Sequence, residues 1–138
     1  MKQLLTYSEE ETRKIAQEIG KKTKSGVIAL TGEMGAGKTI FVQGFAKGLG
    51  INDKITSPTF VLIRQHKIPK VKKILYHIDL YRLEGEINIK QLGIEDLFNS
   101  ENLILIEWAE KINKYLPKET IRINIEKTNK SERLITIY

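Results

Sequence analysis

A three-layer α/β fold, with a central mostly parallel sheet to which antiparallel strands are added, is predicted by three features of the sequence. Two short runs, Val27-Ile28-Ala29-Leu30-Thr31 and Leu103-Ile104-Leu105-Ile106, have the unbroken apolar character of strands buried on both faces. The first leads through a glycine-rich loop into an amphipathic segment, the strand–loop–helix order of a parallel α/β unit. Thr120 to Ile125 and Arg133 to Tyr138 alternate with period two about the turn Thr128-Asn129-Lys130, which predicts an antiparallel pair at the end of the chain. The 138 residues suit one domain, because single domains commonly run about 100 to 150 residues.

The elements follow in order. Lys2 to Thr6 is a candidate edge strand. Ser8 with Glu11 three residues on forms a capping box, and Ile15, Ala16 and Ile19 then recur at helical spacing, so a helix is expected from Glu9 to Lys22. From Gly37 to about Leu49, Phe41, Val42, Phe45, Ala46 and Leu49 make the apolar stripe of a helix packed on a sheet, ended by Gly50. Thr56-Ser57-Pro58-Thr59 reads as a loop in which Pro58 keeps Ser57 out of helical geometry. Phe60 to Lys67 and Lys73 to Leu80 read as a hairpin around a turn containing Pro69. Arg82 to Asn99 suggests one or two short helices. The strand Leu103 to Ile106 ends at Glu107-Trp108, and Ala109 to Tyr115 is a short helix stopped by Leu116-Pro117.

Composition narrows the function classes. Hydrophobic and charged fractions of 41% and 29% are those of an ordered globular protein. No stretch reaches the ~18 apolar residues of a membrane span, and Met1 to Ser8 lacks a secretory apolar core, so a cytoplasmic protein with no membrane partner is expected. The absence of cysteine excludes disulfides, thiolate metal sites and cysteine nucleophiles. The net charge of +6 would attract phosphate-rich ligands or an acidic partner, although a solvated lysine-rich surface is the plainer reading. Only Phe60 to Lys73 carries a loosely basic run of the kind nucleic-acid contact needs.

The segment Gly32-Glu33-Met34-Gly35-Ala36-Gly37-Lys38-Thr39 satisfies G-x-x-x-x-G-K-[ST], between a predicted buried strand and a predicted helix. Its glycines let successive backbone N–H groups turn toward phosphate oxygens, and the helix start adds its positive dipole end. Lys38 would neutralise the β and γ phosphates, and the Thr39 hydroxyl would enter an octahedral Mg²⁺ shell. ATP and Mg²⁺ are thus the expected ligands on a P-loop NTPase-like fold, with Glu33, Met34, Gly35, Ala36, Gly37, Lys38 and Thr39 as binding residues.

Such a site needs an acidic residue at the end of a neighbouring buried strand, and Glu107 fits, as a metal or metal-water ligand or as a group acting on the attacking water. Asp79, late in another predicted strand, is a second candidate as metal ligand, water-orienting base or plain ion-pair partner of Arg82. Thr59 lies where switch proteins place a γ-phosphate sensor, but also where a simple turn would. Trp108 could pack near the nucleotide, dock a partner or belong to the core. His66 and His77 lack a ligand cluster and read as non-metal residues.

With the P-loop, Ser57-Pro58-Thr59-Phe60, His77 to Leu83, Leu92 to Phe98 and Ile106-Glu107-Trp108-Ala109-Glu110 in view, nearly the whole chain resembles the TsaE (YjeE) family. That family is the small ATPase of the bacterial tRNA threonylcarbamoyladenosine pathway. The resemblance implies a P-loop α/β fold binding ATP and Mg²⁺, with Thr39 and Glu107 near the metal and Asp79 required for function. It also implies weak hydrolysis alone and action with TsaB and TsaD partners, tRNA being reached indirectly. By the same resemblance Glu9 and Arg133 are nucleotide-site residues.

Three other readings compete. Asn129-Lys130-Ser131-Glu132 approaches a guanine-reading Asn-Lys-x-Asp, but glutamate replaces the aspartate and no Asp-x-x-Gly follows the P-loop. A small-molecule kinase would need an arginine-bearing lid and more chain, and a non-hydrolysing module would release no phosphate.

Overall fold

The computed structural model describes residues 1–55, 63–84, 92–98 and 101–138. Its strands are β1 (Lys2–Thr6), β2 (Gly26–Thr31), β3 (Ile63–Ile68), β4 (Lys73–Asp79), β5 (Leu103–Glu107), β6 (Ile121–Lys127) and β7 (Arg133–Ile137). Helix α1 spans Glu9–Lys22, α2 Lys38–Gly48 and the short α3 Glu95–Phe98, and a 3₁₀ segment runs Ala109–Tyr115. The strands form one sheet in the order β1-β7-β6-β2-β5-β4-β3. The central four, β6, β2, β5 and β4, are parallel, and antiparallel β7, β1 and β3 extend the two sides.

The predicted patterns locate nearly every element. Ser8 is extended and its hydroxyl accepts the Glu11 N–H at 3.1 Å, while the Glu11 carboxylate accepts the Tyr7 N–H at 2.6 Å. Strand β5 is buried along its length and β2 from Val27 to Leu30, as their unbroken apolar runs require. Helix α2 ends at Gly50, which takes a φ of 86° and closes the turn with N–H bonds from Gly50 to Lys47 and from Ile51 to Ala46. Ala109–Tyr115 is the departure: it is 3₁₀ rather than α-helical and kinks at Ile112, whose φ of −125° lies outside helical geometry. Ile112 is fully buried, so tertiary packing overrides a continuous helix there. Of the one or two short helices suggested within Arg82 to Asn99, α3 is observed; residues 85–91, 99 and 100 lie outside the described residues.

Each face of the sheet is covered by its own apolar layer. Phe41, Val42 and Phe45 of α2, with Ala16 of α1, pack on Ile28, Leu30, Leu103, Leu105, Ile123 and Ile125. On the other face Ile112 and Ile94 pack on Val27, Ala29, Ile78, Ile104 and Ile106. Helices α1 and α2 meet almost backbone to backbone. A Cβ at Gly44 would lie 2.2 Å from the Arg13 carbonyl oxygen, and one at Gly48 would lie 2.1 Å from that of Gln17. Gly→Ala at an ordinary helix position gains about 1 kcal/mol in propensity. Here Gly48→Ala is expected to destabilise by about 2 to 3 kcal/mol, because the helices must separate. A fall in the urea midpoint at unchanged m-value checks this.

Candidate functional site

The glycine loop opens from the C-terminal end of β2. Gly32, Gly35 and Gly37 have φ of 148°, 81° and 105°, conformations that L side chains rarely adopt. A Cβ at Gly32 would meet the Ile125 carbonyl oxygen at 2.5 Å, so β6 also forces glycine there. At Gly35 nothing lies within 4 Å of that position, leaving the loop's crest open to a ligand. Ala36 is buried in the core, whereas the Met34 side chain is exposed, so neither covers the backbone between them.

Lys38, the first residue of α2, is only 7% exposed. Its ammonium donates to the carbonyl of Gly32 and, at 3.2 Å, to that of Glu33, and stands 3.8 Å above the Trp108 ring. Burial lowers its pKa, while the charges of Glu107, Glu110, Asp79 and Glu33 pull it back up. Four carboxylates therefore act on this one buried cation through their charge.

Register explains this concentration. Asp79 pairs with Glu107 across β4 and β5, and Glu107 pairs with Leu30 of β2, so both acids stand at the strand ends from which the loop springs. His77, two residues before Asp79, shares its face of β4. Its Nε2 lies 2.6 Å from Oε2 of Glu107, in a pair 1% and 3% exposed. With the proton on Nε2 the imidazole donates to the carboxylate and leaves Nδ1, buried and without a partner among the described residues, as a bare lone pair. His77 thereby fixes the rotamer of Glu107. Asp79 is half-buried and accepts the Tyr81 N–H at 3.0 Å. Burial raises its pKa and repulsion from Glu107 adds to the rise, against the Tyr81 hydrogen bond and the charges of His77 and Lys38.

Trp108 turns the chain sharply after β5, with φ 59° and ψ 37°. A left-handed non-glycine residue costs on the order of 1 to 2 kcal/mol. The turn sets the indole over Lys38 and 5.3 Å from the Tyr81 ring. Lys111 pins the same corner by donating to the carbonyls of Leu80, Tyr81 and Leu83 at 2.9, 2.7 and 2.6 Å.

On the loop's other flank lies a cleft of about 240 Å³, lined by Ser8, Glu9, Gly35, Gly37, Lys130 and Arg133 among others. Arg133 donates to the Ala36 carbonyl at 2.9 Å and the Gly35 carbonyl at 3.4 Å, bracing the loop from β7. Thr39 is half-buried and lines a second, more open cleft of about 570 Å³ with Gln43 and Lys54.

The structure thus brings Lys38, Asp79, Glu107 and Trp108 together on one side of the loop and Glu9 and Arg133 on the other. Glu33 is exposed at the loop tip, where its backbone carbonyl holds Lys38. Thr59 lies outside the described residues. Sequence reasoning gave His77 no role, although a strand spacing of i, i+2 from Asp79 placed it on the same face. Lys111 was missed as well, and no motif marks it. His77→Ala would leave a buried carboxylate unpaired, and a loss of about 2 to 4 kcal/mol by urea unfolding is expected.

No described helix is long and apolar enough to cross a membrane. The family model for the threonylcarbamoyl adenosine biosynthesis protein TsaE matches residues 6–135. The tRNA threonylcarbamoyladenosine biosynthesis protein TsaE of Bacillus subtilis is 42% identical over 139 residues, covering 99% of this chain and 85% of that protein. Its counterpart in Treponema pallidum is 34% identical over 134 residues, covering 96% and 97%. A crystal structure of Bacillus subtilis YdiB superposes with a TM-score of 0.77 at 37% identity, covering 99% of this chain and 84% of that one. Loop, strand-end acids and near-complete coverage lead to one conclusion: the chain belongs to the TsaE family of threonylcarbamoyl adenosine biosynthesis proteins.

Proposed function

We propose that the chain binds Mg-ATP at the loop Gly32–Thr39, hydrolyses it weakly alone, and works with TsaB and TsaD in the threonylcarbamoyladenosine modification of tRNA in the cytoplasm. The observation that supports this most is the open glycine crest at Gly35 beside a buried lysine, faced by two strand-end carboxylates. The pathway is the one for which the related TsaE proteins of Bacillus subtilis and Treponema pallidum are named.

The donor set fits the ligands. Backbone N–H groups along residues 33–39 can converge on phosphate oxygens, and Lys38 can exchange its two carbonyl partners for them. The Thr39 hydroxyl and the Glu107 carboxylate are hard oxygen donors suited to Mg²⁺, which when bound neutralises phosphate charge. His77 keeps Glu107 oriented. Asp79 can accept a proton from an attacking water, its raised pKa making it a stronger base than a free aspartate. The cleft holding Glu9 and Arg133 is the space open to the nucleoside. Because the chain offers groups for phosphate and metal, nucleotide state would set its fit to the TsaB–TsaD partners.

Phosphate release with ATP and with GTP, measured alone and with TsaB and TsaD added, tests the reading. ATP-dependent release that rises with the partners supports it; none under either condition favours a non-hydrolysing nucleotide module.

A further inference from the structure

The surplus of positive charge is not spread evenly. Residues 20–26 contain Lys21, Lys22 and Lys24 and no acid, and residues 64–73 contain five basic residues, Lys70, Lys72 and Lys73 among them, and no acid. The fold joins these two stretches. Lys73 donates to the Lys24 carbonyl at 2.8 Å, and Lys21, Lys24 and Lys73 line one cleft of about 170 Å³ between the end of α1 and the β3–β4 turn. Lys21, Lys22, Lys24, Lys70 and Lys72 are all exposed, and Lys70 holds the turn in the left-handed region at φ 70°. One carboxylate neighbours these stretches in sequence, Glu18, already bonded to Lys21 at 3.1 Å, and one more touches them, Asp53, 3.3 Å from His66 of the second stretch. The face lies at the opposite end of β4 from Asp79, about 20 Å away for six residue steps at about 3.3 Å each.

We propose that this lysine face binds the phosphate backbone of a structured RNA directly. A protein partner fits less well, because protein interfaces are poor in lysine and rich in aromatic anchors. Val71, at 52% exposure, is the one large exposed apolar side chain of the β3–β4 turn. Lysine ammonium groups without stacking aromatics suit phosphates rather than bases, so binding is to be salt-sensitive and largely indifferent to sequence. The choice of RNA rests on the pathway reading above, whereas the charge geometry does not, and direct contact replaces the indirect route that the family resemblance implied.

The test is anisotropy of a labelled, unmodified tRNA transcript titrated with the full chain at stepped salt. Lys24→Glu/Lys72→Glu is compared with Lys118→Glu/Lys127→Glu, which changes net charge equally at exposed sites outside both stretches. The first pair is expected to raise Kd at least about tenfold and to flatten the log–log salt slope by about 2, the second to leave both nearly unchanged. Lys24→Gln/Lys72→Gln serves if the reversals fail to fold. Equal loss in both pairs, no binding by the wild-type chain, or displacement of tRNA by polyglutamate at equal charge overturns the proposal. Calorimetric ATP titration of the same proteins separates the two readings: lost ATP binding with retained RNA binding sinks the nucleotide reading alone.

Discussion

Lys38→Ala is expected to lower ATP affinity by at least about 100-fold, the equivalent of roughly 3 kcal/mol for charge-assisted bonds to two phosphates. The ammonium is buried and already held at the loop's mouth by the Gly32 and Glu33 carbonyls and by the Trp108 face. Binding therefore needs only an exchange of partners. Without Lys38 the charges of Glu107, Glu110, Asp79 and Glu33 would no longer be offset by its ammonium, so repulsion of the phosphates adds to the lost attraction. Calorimetric titration with and without Mg²⁺ measures the change, and emission of the single tryptophan, Trp108, gives a second readout in the wild type. Unchanged affinity would overturn the proposed nucleotide site.

Asp79→Asn and Glu107→Ala are expected to reduce phosphate release by roughly 100-fold or more, while ATP affinity changes less than tenfold. A positioned base commonly contributes about 10² to 10⁴ in rate. Asp79 adds a pH signature. Because burial and Glu107 raise its pKa above the usual carboxylate value, hydrolysis should fall as pH drops through that raised value, and Asp79→Asn should abolish that limb. The stability consequence has the opposite sense. As pH rises, the unfolded chain releases this proton first, so between the two pKa values the folded state holds more protons and loses stability. Above the raised value the cost is complete, and Asp79→Asn should raise Tm at neutral pH by roughly 1 to 2 °C, modest because the group is half exposed to water. Differential scanning calorimetry beside initial-rate measurements distinguishes this pattern from a merely damaged fold, which would lower both.

Much of the architecture was legible in the sequence because it rests on local rules. The Ser8–Glu11 box fixed the start of α1, Gly50 the end of α2, and unbroken apolar runs marked β2 and β5 as interior parallel strands. The glycine loop was legible for the same reason: its conformation is demanded by φ angles that glycine alone tolerates readily. The 3₁₀ form of Ala109–Tyr115 was not, since the burial of Ile112 against the sheet, and not its neighbours in the chain, sets its geometry.

The sequence by itself determined the glycine loop, the strands and helices flanking it, and the acids that end two strands, because each depends on residues within a turn or two of one another. Strand order and register were decided only in three dimensions. They join His77 to Glu107 across thirty residues, brace Gly35 and Ala36 with Arg133 from the last strand, and leave room for glycine alone where α1 crosses α2. Side-chain partners distant in the chain obey no local periodicity. They become neighbours only when burying both faces of the sheet selects one arrangement of the strands.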